Sequence, residues 1–279
     1  MNQLAYIIEE IGAHFRAVMT VDLFNKRLRV DQYYGNIDKI VETAELAAEK
    51  HGCEKIIFKA KREEYISLLS KGFVCEAMVD RFFAGSDAFF FSKFYAHERR
   101  NSKFWVEEDQ LLVQIEKGAA RPEKPNPPFT IVTCTKEHAE QLSALYKHVF
   151  KVYPVPMDDP AYVAECMDKG SVFIAYLHEG RLVSAVCGDI SKAEWNAEIT
   201  DCATLPEYRQ YGLMQRLISL LEKKLAEKHI LCLYSIARAK SYGMNAAFKK
   251  LGYSYRGRLV NNCYIFEDLE DMNMWVKFL

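Results

Sequence analysis

The segment from Asn196 to Lys228 constrains the fold more than any other part of the chain. It reads NAEITDCATLPEYRQYGLMQRLISLLEKKLAEK, and it predicts a strand, a tight turn and a long helix. The strand should end at Pro206, because proline lacks an N–H and favours an extended conformation in the residue before it. The apolar residues that follow recur with the spacing of one helical face: Leu213, Leu217, Leu220, Leu221 and Leu225.

The turn between this strand and this helix contains Arg209, Gln210, Tyr211 and Gly212. A turn that runs straight into a helix points several unpaired backbone N–H groups at one spot, where the positive end of the helix dipole also lies. The segment therefore predicts a phosphate-binding turn. The alternative is an ordinary strand-turn-helix unit in which Gly212 only permits close packing.

With Arg209 and Gly212 in these places, the turn resembles the acetyl-CoA-binding motif of the GNAT N-acetyltransferases, Arg/Gln-x-x-Gly-x-Gly/Ala. Met214 departs from the final small residue of that motif, and Gln210 stands where glycine is common. The resemblance implies acetyl-CoA as co-substrate and no metal. The residues that it assigns to cofactor binding are Ala203, Thr204, Leu205, Arg209, Gln210, Tyr211, Gly212, Leu213, Met214, Asn245 and Phe248.

Length and composition define the class of protein. A chain of 279 residues is long enough for two domains, and a net charge of −1 favours neither a nucleic-acid nor a polyanion surface. No apolar run reaches the roughly 18 residues of a membrane span, and the N-terminus lacks the basic region of a signal peptide. The eight cysteines are scattered without a CxxC pair, which predicts reduced thiols in a cytoplasmic protein rather than zinc or disulfide sites.

Four of the eight prolines fall within residues 121–128, RPEKPNPP, which predicts a stiff linker. We therefore expect an N-terminal α/β domain over 1–120 and a catalytic domain over 129–279. The predicted fold class is α/β (α+β). The order β-α-α-β-β-β-α-β-α-β in the second half is the GNAT order, a mixed central sheet flanked by helices, so the resemblance extends over this half of the chain.

The two halves share a local pattern. LLSKGF at 68–73 and FKKLGY at 248–253 occupy equivalent places, each at the end of a helix and before a hairpin. One hypothesis is that the N-terminal domain is a degenerate, partial copy of the same fold. Because it lacks a phosphate-turn motif, we expect no acetyl-CoA there. The alternative is a separate small α/β cap. The basic stretch 97–103 predicts a solvated linker, with Arg99 and Arg100 as alternative partners of a substrate carboxylate.

Acetyl transfer to an ammonium group needs a base, since an amine of pKa about 10.4 is protonated at neutral pH. Glu198 and Asp201 on the central strand are the candidates, and Asp201 abuts the presumed reaction centre. Three residues apart, they face opposite sides of a regular strand, so a β-bulge is needed to bring them together.

The residue that protonates the leaving thiolate is harder to identify. Many GNAT enzymes carry a tyrosine four residues before the glycine of the Leu-Gly-aromatic tail, and here that residue is Phe248. Phenylalanine has no proton to give. Ser241, Tyr242 or Tyr253 could substitute.

Four further stretches resemble the β-lysine Nε-acetyltransferases: 201–206, 235–253, 258–263 and 270–275. The resemblance implies (S)-β-lysine as acceptor, Nε-acetyl-β-lysine as a compatible solute, and lysine 2,3-aminomutase as pathway partner. Candidate acceptor contacts are Tyr153, Asp158, Asn261 and Asn262, with Arg238 or Arg258 for a carboxylate. A homodimer stays open, as do two other functions. These are acetylation of another amine (a free amino acid, a polyamine or a protein lysine) and acetyl-CoA sensing without catalysis.

Overall fold

The structure, a computed structural model, describes residues 5–118, 127–150, 155–265 and 268–279. The chain divides into two compact units. The first unit comprises Met1–Trp105 with Arg256–Met274, and the second comprises Val106–Tyr255 with Trp275–Leu279. Both units differ in extent from the predicted domains: 106–117 group with the second unit and 256–274 with the first. The predicted linker lies mostly outside the described residues, so its role stays a prediction.

The first unit combines strands with one long helix. Its elements are β1 (Ala5–Gly12), β2 (Phe15–Asp22), β3 (Arg27–Gly35), α1 (Ile37–Lys50), β4 (Lys55–Ala60), α2 (Tyr65–Ser70), β5 (Val74–Phe83), β6 (Ser86–Phe94) and α3 (His97–Arg100). Helix α1 begins after Asn36, whose side chain accepts a hydrogen bond from the Lys39 N–H and so caps the helix. The meander β1–β3 is an element that the sequence patterns did not predict.

The second unit carries the remaining helices and the central strand. Its elements are α4 (Trp105–Lys117), β7 (Thr130–Thr133), α5 (Ala139–Val149), α6 (Pro160–Lys169), β8 (Val172–His178), β9 (Arg181–Ser191), β10 (Asn196–Thr204), α7 (Leu213–Glu227), β11 (Cys232–Arg238) and α8 (Tyr242–Lys250). Strands β12 (Ser254–Ile265) and β13 (Asp268–Phe278) close the chain, and their residues are divided between the two units. Helix α7 buries Leu213, Leu217, Leu221 and Leu225 of the predicted face, together with Ile218.

Strand order repeats along the chain. β1, β2 and β3 are antiparallel, α1 crosses to β4 parallel to β3, and a hairpin returns β6 beside β4, giving the order β1-β2-β3-β4-β6-β5. The later elements follow the same scheme, β8-β9-β10-β11-β13-β12, with β10 and β11 parallel. The strand-helix-strand order of the C-terminal half therefore recurs in the N-terminal half. This shared order supports the hypothesis that the N-terminal half is a degenerate copy of the C-terminal half, which stays a hypothesis.

The third strand of each run also carries a bulge. In β3 the register shifts between the pairs Val30↔Met19 and Gln32↔Val18, so Asp31 has no paired residue on β2. In β10 the shift falls between Thr200 and Ala203. In both strands the bulge follows the last residue that pairs with the parallel neighbour. In β3 that residue is Val30, directly before Asp31, and in β10 it is Glu198, two residues before the bulge begins after Thr200.

Strand β12 is bound tightly into the first unit. Gly257 pairs with Ala77 of β5 at a φ of +125°, and a Cβ there would lie 2.3 Å from the Glu76 carbonyl oxygen, so only glycine fits. A buried ion pair lies alongside: the Lys55 Nζ is 2.7 Å from the Glu76 carboxylate and donates to the Val260 carbonyl at 2.8 Å.

The basic stretch 97–103 was predicted to be a solvated linker, and this is wrong for its centre. Residues 97–100 form helix α3, and Arg99 is completely buried. Its Nη2 donates to the Asn262 carbonyl at 3.0 Å, and its Nη1 lies 3.8 Å from a Glu54 carboxylate oxygen. Arg99 therefore has partners within the protein.

Among the described residues, no helix is both long and apolar enough to pass through a membrane.

Candidate active site

The turn between β10 and α7 has the geometry of an anion site. Residues Pro206–Tyr211 form a 3₁₀ turn, and Gly212 follows in the left-handed conformation at φ +66° and ψ +29°. The first turn of α7 then opens with backbone N–H groups that no residue of the helix can accept. These N–H groups and the helix dipole favour a phosphate at this point, and phosphate binding by the turn stays a prediction. The Tyr211 ring packs edge-on against Phe129 at 5.2 Å and fixes the turn from outside.

Gly212→Ala is expected to weaken acetyl-CoA binding about tenfold or more, because an L-residue at this φ is strained by about 1–2 kcal/mol and relaxes by moving the turn. Isothermal titration with acetyl-CoA measures the dissociation constant. Gly52→Ala is the matched control, since Gly52 has a φ of +63° with no atom near its added Cβ. Equal losses of affinity in the two variants would contradict a specific role for the turn at Gly212.

The main chain of β10 opens a cleft next to this turn. β10 and β11 pair only over Asn196↔Cys232, Ala197↔Leu233 and Glu198↔Tyr234, and beyond that point the strands part. The Leu205 N–H donates to the Val183 carbonyl on β9 at 3.0 Å. Since successive residues of an extended strand point their main-chain groups to alternate sides, Thr204 directs its N–H and carbonyl into the cleft. Thr204 is thus the best placed of the predicted lining residues Ala203, Thr204 and Leu205. The Arg209 Nε lies 3.4 Å from its carbonyl.

The β-bulge required to bring the two candidate bases together is present. Residues 201 and 202 both oppose a single residue of β9, and Asp201 adopts a φ of +50°. Its side chain is buried to 8% exposure. This φ is uncommon for a residue other than glycine, although aspartate and asparagine tolerate it best. The bulge therefore decides where the Asp201 carboxylate points.

The register of β9 with β10 places a third carboxylate, that of Asp189, opposite Glu198. A Cβ on Gly188 would contact Leu221 and Leu225 of α7, so Gly188 faces α7 and its neighbour Asp189 faces the opposite side. Glu198 is directly opposite Asp189, and both side chains therefore project from the sheet face away from α7. Asp189 accepts a hydrogen bond from the Ser171 hydroxyl at 2.9 Å. Sequence reasoning missed Asp189, because only the strand register shows it to be opposite Glu198.

Helix α6 brings a phenol and a thiol within electrostatic range of carboxylates on this strand pair. Tyr162 and Cys166 are one helical turn apart, and the charges of Asp201 and Asp189 act on both of them. Burial is the main cause that raises the pKa of Tyr162 far above its usual value, followed by the neighbouring Cys166 and the two aspartates. Asp201 therefore lies on the α6 side of the sheet, together with Glu198 and Asp189. The three carboxylates on this face suit a cationic amine, and Lys169 also lies within electrostatic range of Asp189 and Cys166.

The thiols near the cleft are held in their protonated form. Burial raises the pKa of Cys202 and of Cys187 well above the usual value, with Asp201 adding to both, and burial raises the pKa of Cys166 to about 11. A protonated thiol is a poor nucleophile. These three cysteines are therefore unsuited to form an acetyl-enzyme, and the arrangement favours direct transfer to the amine.

Asn245 makes internal contacts rather than presenting its side chain to a cofactor. Its Nδ2 donates to the Arg238 and Ser241 carbonyls at 2.9 and 2.8 Å, and its Oδ1 accepts from the Trp275 Nε1 at 2.7 Å. The residue ties the turn before α8 to the end of β13. Phe248 is fully buried and packs edge-on against Tyr253 at 5.0 Å. The cofactor contacts predicted for Asn245 and Phe248 stay predictions, and these contacts argue for structural roles instead.

The candidate proton donors are unequal. Burial, followed by the nearby Glu222 carboxylate, raises the pKa of Tyr253 well above its usual value, so this phenol is a poor acid at neutral pH. Ser241 precedes α8 and makes no side-chain capping bond. Tyr242, at the start of α8, is 42% exposed. Of the three, Tyr253 is the least suited to protonate a leaving thiolate.

The predicted acceptor contacts belong to different parts of the chain. Asp158 is exposed in the turn before α6, and Tyr153 lies outside the described residues. Asn261 and Asn262 are buried and belong to the first unit, whereas Asp201 belongs to the second. The Asn261 Nδ2 donates to the Glu98 carbonyl at 2.8 Å, and the Asn262 carbonyl accepts from two arginines, Arg27 and Arg99. These contacts engage the Asn261 side chain and the Asn262 main chain, and the substrate contacts predicted for both asparagines stay predictions.

Comparison with known proteins identifies the family. Residues 139–253 match the Acetyltransferase (GNAT) family. Over 264 residues the chain is 40% identical to the N-acetyltransferase YodP of Bacillus subtilis, an alignment that covers 94% of this chain and 96% of that protein. This chain belongs to the GNAT acetyltransferase family. The predicted family, fold class and enzyme class are thereby confirmed, and the chain is a GNAT N-acetyltransferase.

Two further relatives of this GNAT enzyme carry more specific names. The beta-lysine N(6)-acetyltransferase of Methanococcus maripaludis is 30% identical over 262 residues, covering 94% of this chain and 96% of that protein. The protein of the same name in Methanosarcina mazei is 30% identical over 269 residues, covering 88% and 99%. Members of the GNAT family use acetyl-CoA as acetyl donor. Among the described residues, no group of three or more metal-binding side chains is found.

Proposed function

We propose that this GNAT enzyme transfers the acetyl group of acetyl-CoA to the side-chain amine of (S)-β-lysine. The observation that carries the proposal is the acidic face beneath α6, where Asp201, Glu198 and Asp189 project from adjacent strands. β-Lysine carries two ammonium groups, and carboxylates are their natural partners. The names of two relatives, each 30% identical over nearly the whole chain, support the same acceptor.

The residues fit an acetyl-CoA donor on two independent features. The left-handed Gly212 and the N–H groups of α7 suit the pyrophosphate, with Arg209 beside them. Beyond Glu198, β10 pairs with β9 but no longer with β11, so its main-chain groups on the β11 side can accompany an extended pantetheine arm, as a neighbouring strand would. When bound, acetyl-CoA supplies the activated thioester. A main-chain amide of β10 then donates to the thioester carbonyl oxygen and stabilises the charge that develops there.

Asp201 serves as the base. At pH 7 roughly one amine in a few thousand is neutral if its pKa is about 10.4, so an acceptor needs to lose a proton before it reacts. The Asp201 carboxylate removes this proton, directly or through one water. Glu198 and Asp189 hold the second ammonium group of the acceptor. Tyr162 limits access of water to the carboxylates from the α6 side.

An acceptor panel tests this function. Release of free CoA thiol is measured with (S)-β-lysine, α-lysine, ornithine, spermidine and a lysine-containing peptide. Fast release with β-lysine supports the proposal. Fast release with only another amine would keep acetyl transfer and replace the acceptor. The YodP relative is named only as an N-acetyltransferase, so another amine is the second candidate. The compatible-solute role and supply of β-lysine by an aminomutase follow only if β-lysine is the acceptor.

The number of acetyl-CoA molecules bound per chain tests whether one unit or both units bind the donor. We expect one acetyl-CoA per chain, because in the described part of the first unit the Asn36 side chain already caps the first turn of α1, whereas Gly212 precedes α7 without a side-chain cap. In the first unit, Lys59 and Asp31 form an ion pair of 2.8 Å at the equivalent bulge. Calorimetric titration counts the sites. Two sites per chain, or one site that survives Gly212→Ala with unchanged affinity, would contradict this expectation.

A further inference from the structure

Ser235 lies at the point where β10 and β11 part. Its hydroxyl donates to the Ile199 carbonyl at 2.7 Å, and its side chain is buried to 4% exposure. The last backbone pair between the two strands is Glu198↔Tyr234, so Ser235 and Ile199 are the next residue on each strand. A side chain here replaces the backbone hydrogen bond that would otherwise continue the ladder. The Ile199 carbonyl is thereby satisfied without the strands coming closer.

The first unit shows the contrasting arrangement. There, β3 and β4 pair one residue further, from Arg27↔Lys55 to Val30↔Phe58. Beyond that pair, Lys59 bridges to Asp31 at 2.8 Å, and the Lys61 N–H donates to the Tyr33 hydroxyl at 3.1 Å. Long side chains thus tie these two strands together past the bulge. The second unit has the same topology, but a short hydroxyl satisfies the carbonyl where the strands separate.

We infer that Ser235 is a positioning residue that sets the opening between β10 and β11, and with it the affinity for acetyl-CoA. The inference rests on the proposed donor cleft. Without the hydroxyl, the buried Ile199 carbonyl lacks a partner, which is unfavourable. The strands can restore a bond by bringing a backbone N–H of β11 to this carbonyl, and that movement narrows the cleft. Because the Ser235 hydroxyl binds the β10 main chain where the strands part, its removal should act on donor binding first.

Ser235→Ala is expected to raise the acetyl-CoA dissociation constant and the KM for acetyl-CoA about tenfold, the size of one buried hydrogen bond. The KM for the amine should change less than twofold. Ser235→Thr keeps the hydroxyl and should recover most of the affinity, and Ser235→Cys, a weaker donor, should fall between. Calorimetry measures the dissociation constant, and thiol release measures the kinetic constants. If Ser235→Ala does not fold, the acetyl-CoA affinities of the other two variants test the inference, which expects tighter binding by Ser235→Thr than by Ser235→Cys.

Ser92→Ala is the matched control. Ser92 is also fully buried, and its hydroxyl donates to the Glu76 carboxylate in the first unit. This variant should lower the melting temperature without altering donor affinity. An unchanged dissociation constant in Ser235→Ala, or an equal rise in Ser92→Ala, would overturn the inference while leaving acetyl transfer intact. Absence of turnover in the wild-type protein with every amine would instead refute the proposed function.

Discussion

Asp201→Asn is expected to lower kcat for amine acetylation by about 100- to 1,000-fold, within the range of general-base catalysis. The substitution removes the charge and the basicity while retaining size. It also suits the backbone, because asparagine tolerates the left-handed φ of +50° that the bulge imposes. The KM for acetyl-CoA should stay within about twofold, since the Asp201 side chain lies on the α6 face, away from the phosphate turn. Steady-state thiol release with saturating amine provides the measurement.

Two other variants calibrate this result. Glu198→Gln should raise the KM of the amine more than it lowers kcat, because Glu198 is assigned to binding rather than to proton transfer. Phe248→Tyr restores the usual tyrosine of the family at a fully buried position and should change turnover less than Asp201→Asn. A larger effect of Phe248→Tyr than of Asp201→Asn would contradict the assignment of Asp201 as base.

Lys55→Met is expected to cost about 3–5 kcal/mol of unfolding free energy. Lys55 is fully buried, and removing it leaves the Glu76 carboxylate buried beside an unpaired Val260 carbonyl. Burial lowers the pKa of Lys55, and Glu76 opposes that shift, so each charge depends on its partner. Urea denaturation measures the loss. The effect should be large because Val260 belongs to β12, which enters the first unit from the far end of the sequence.

Comparison variants separate ion pairing from packing. Lys39→Met, at the exposed Lys39–Glu42 pair of α1, should leave the urea midpoint nearly unchanged. The double substitution Lys55→Met with Glu76→Leu should recover much of the loss, since it removes both buried charges. A loss below about 1 kcal/mol for Lys55→Met would show that the pair contributes no more than a surface pair does.

The strand, turn and helix of 196–228 were predictable because each boundary has a local cause. Pro206 ends the strand, Gly212 permits the left-handed turn, and leucines at helical spacing bury one face of α7. The same local logic predicted the helix end at 68–73 and the hairpin after it, which are α2 and the β5–β6 hairpin in the structure. The bulge was required by the spacing of Glu198 and Asp201, and the structure contains it. These features depend on residues that are close together in sequence.

What the sequence could not show depends on distant pairings. Strands β12 and β13 looked like the end of the catalytic domain, yet 256–274 group with the first unit, where Gly257 meets Ala77. In that unit the Asn261 side chain donates to the carbonyls of residues 98 and 99, and the Asn262 main-chain carbonyl accepts from two buried arginines. The acceptor contacts proposed for these two asparagines stay predictions. Arg99 looked solvent-exposed because its neighbours are polar. Asp189 and Ser235 carried no signal, since their significance lies in the register of β10 with β9 and β11.

The most direct test of the account is the ratio of kcat/KM for (S)-β-lysine to that for α-lysine, measured by acetyl-CoA-dependent thiol release. Both amino acids present the same terminal amine, and they differ in where the second ammonium group lies. If carboxylates on β9 and β10 bind that second ammonium group, kcat/KM for β-lysine should be at least about tenfold higher than for α-lysine, a difference of about 1.4 kcal/mol. The preference should shrink in Asp189→Asn. Equal values for the two amino acids, or a preference for α-lysine, would contradict the proposed acceptor.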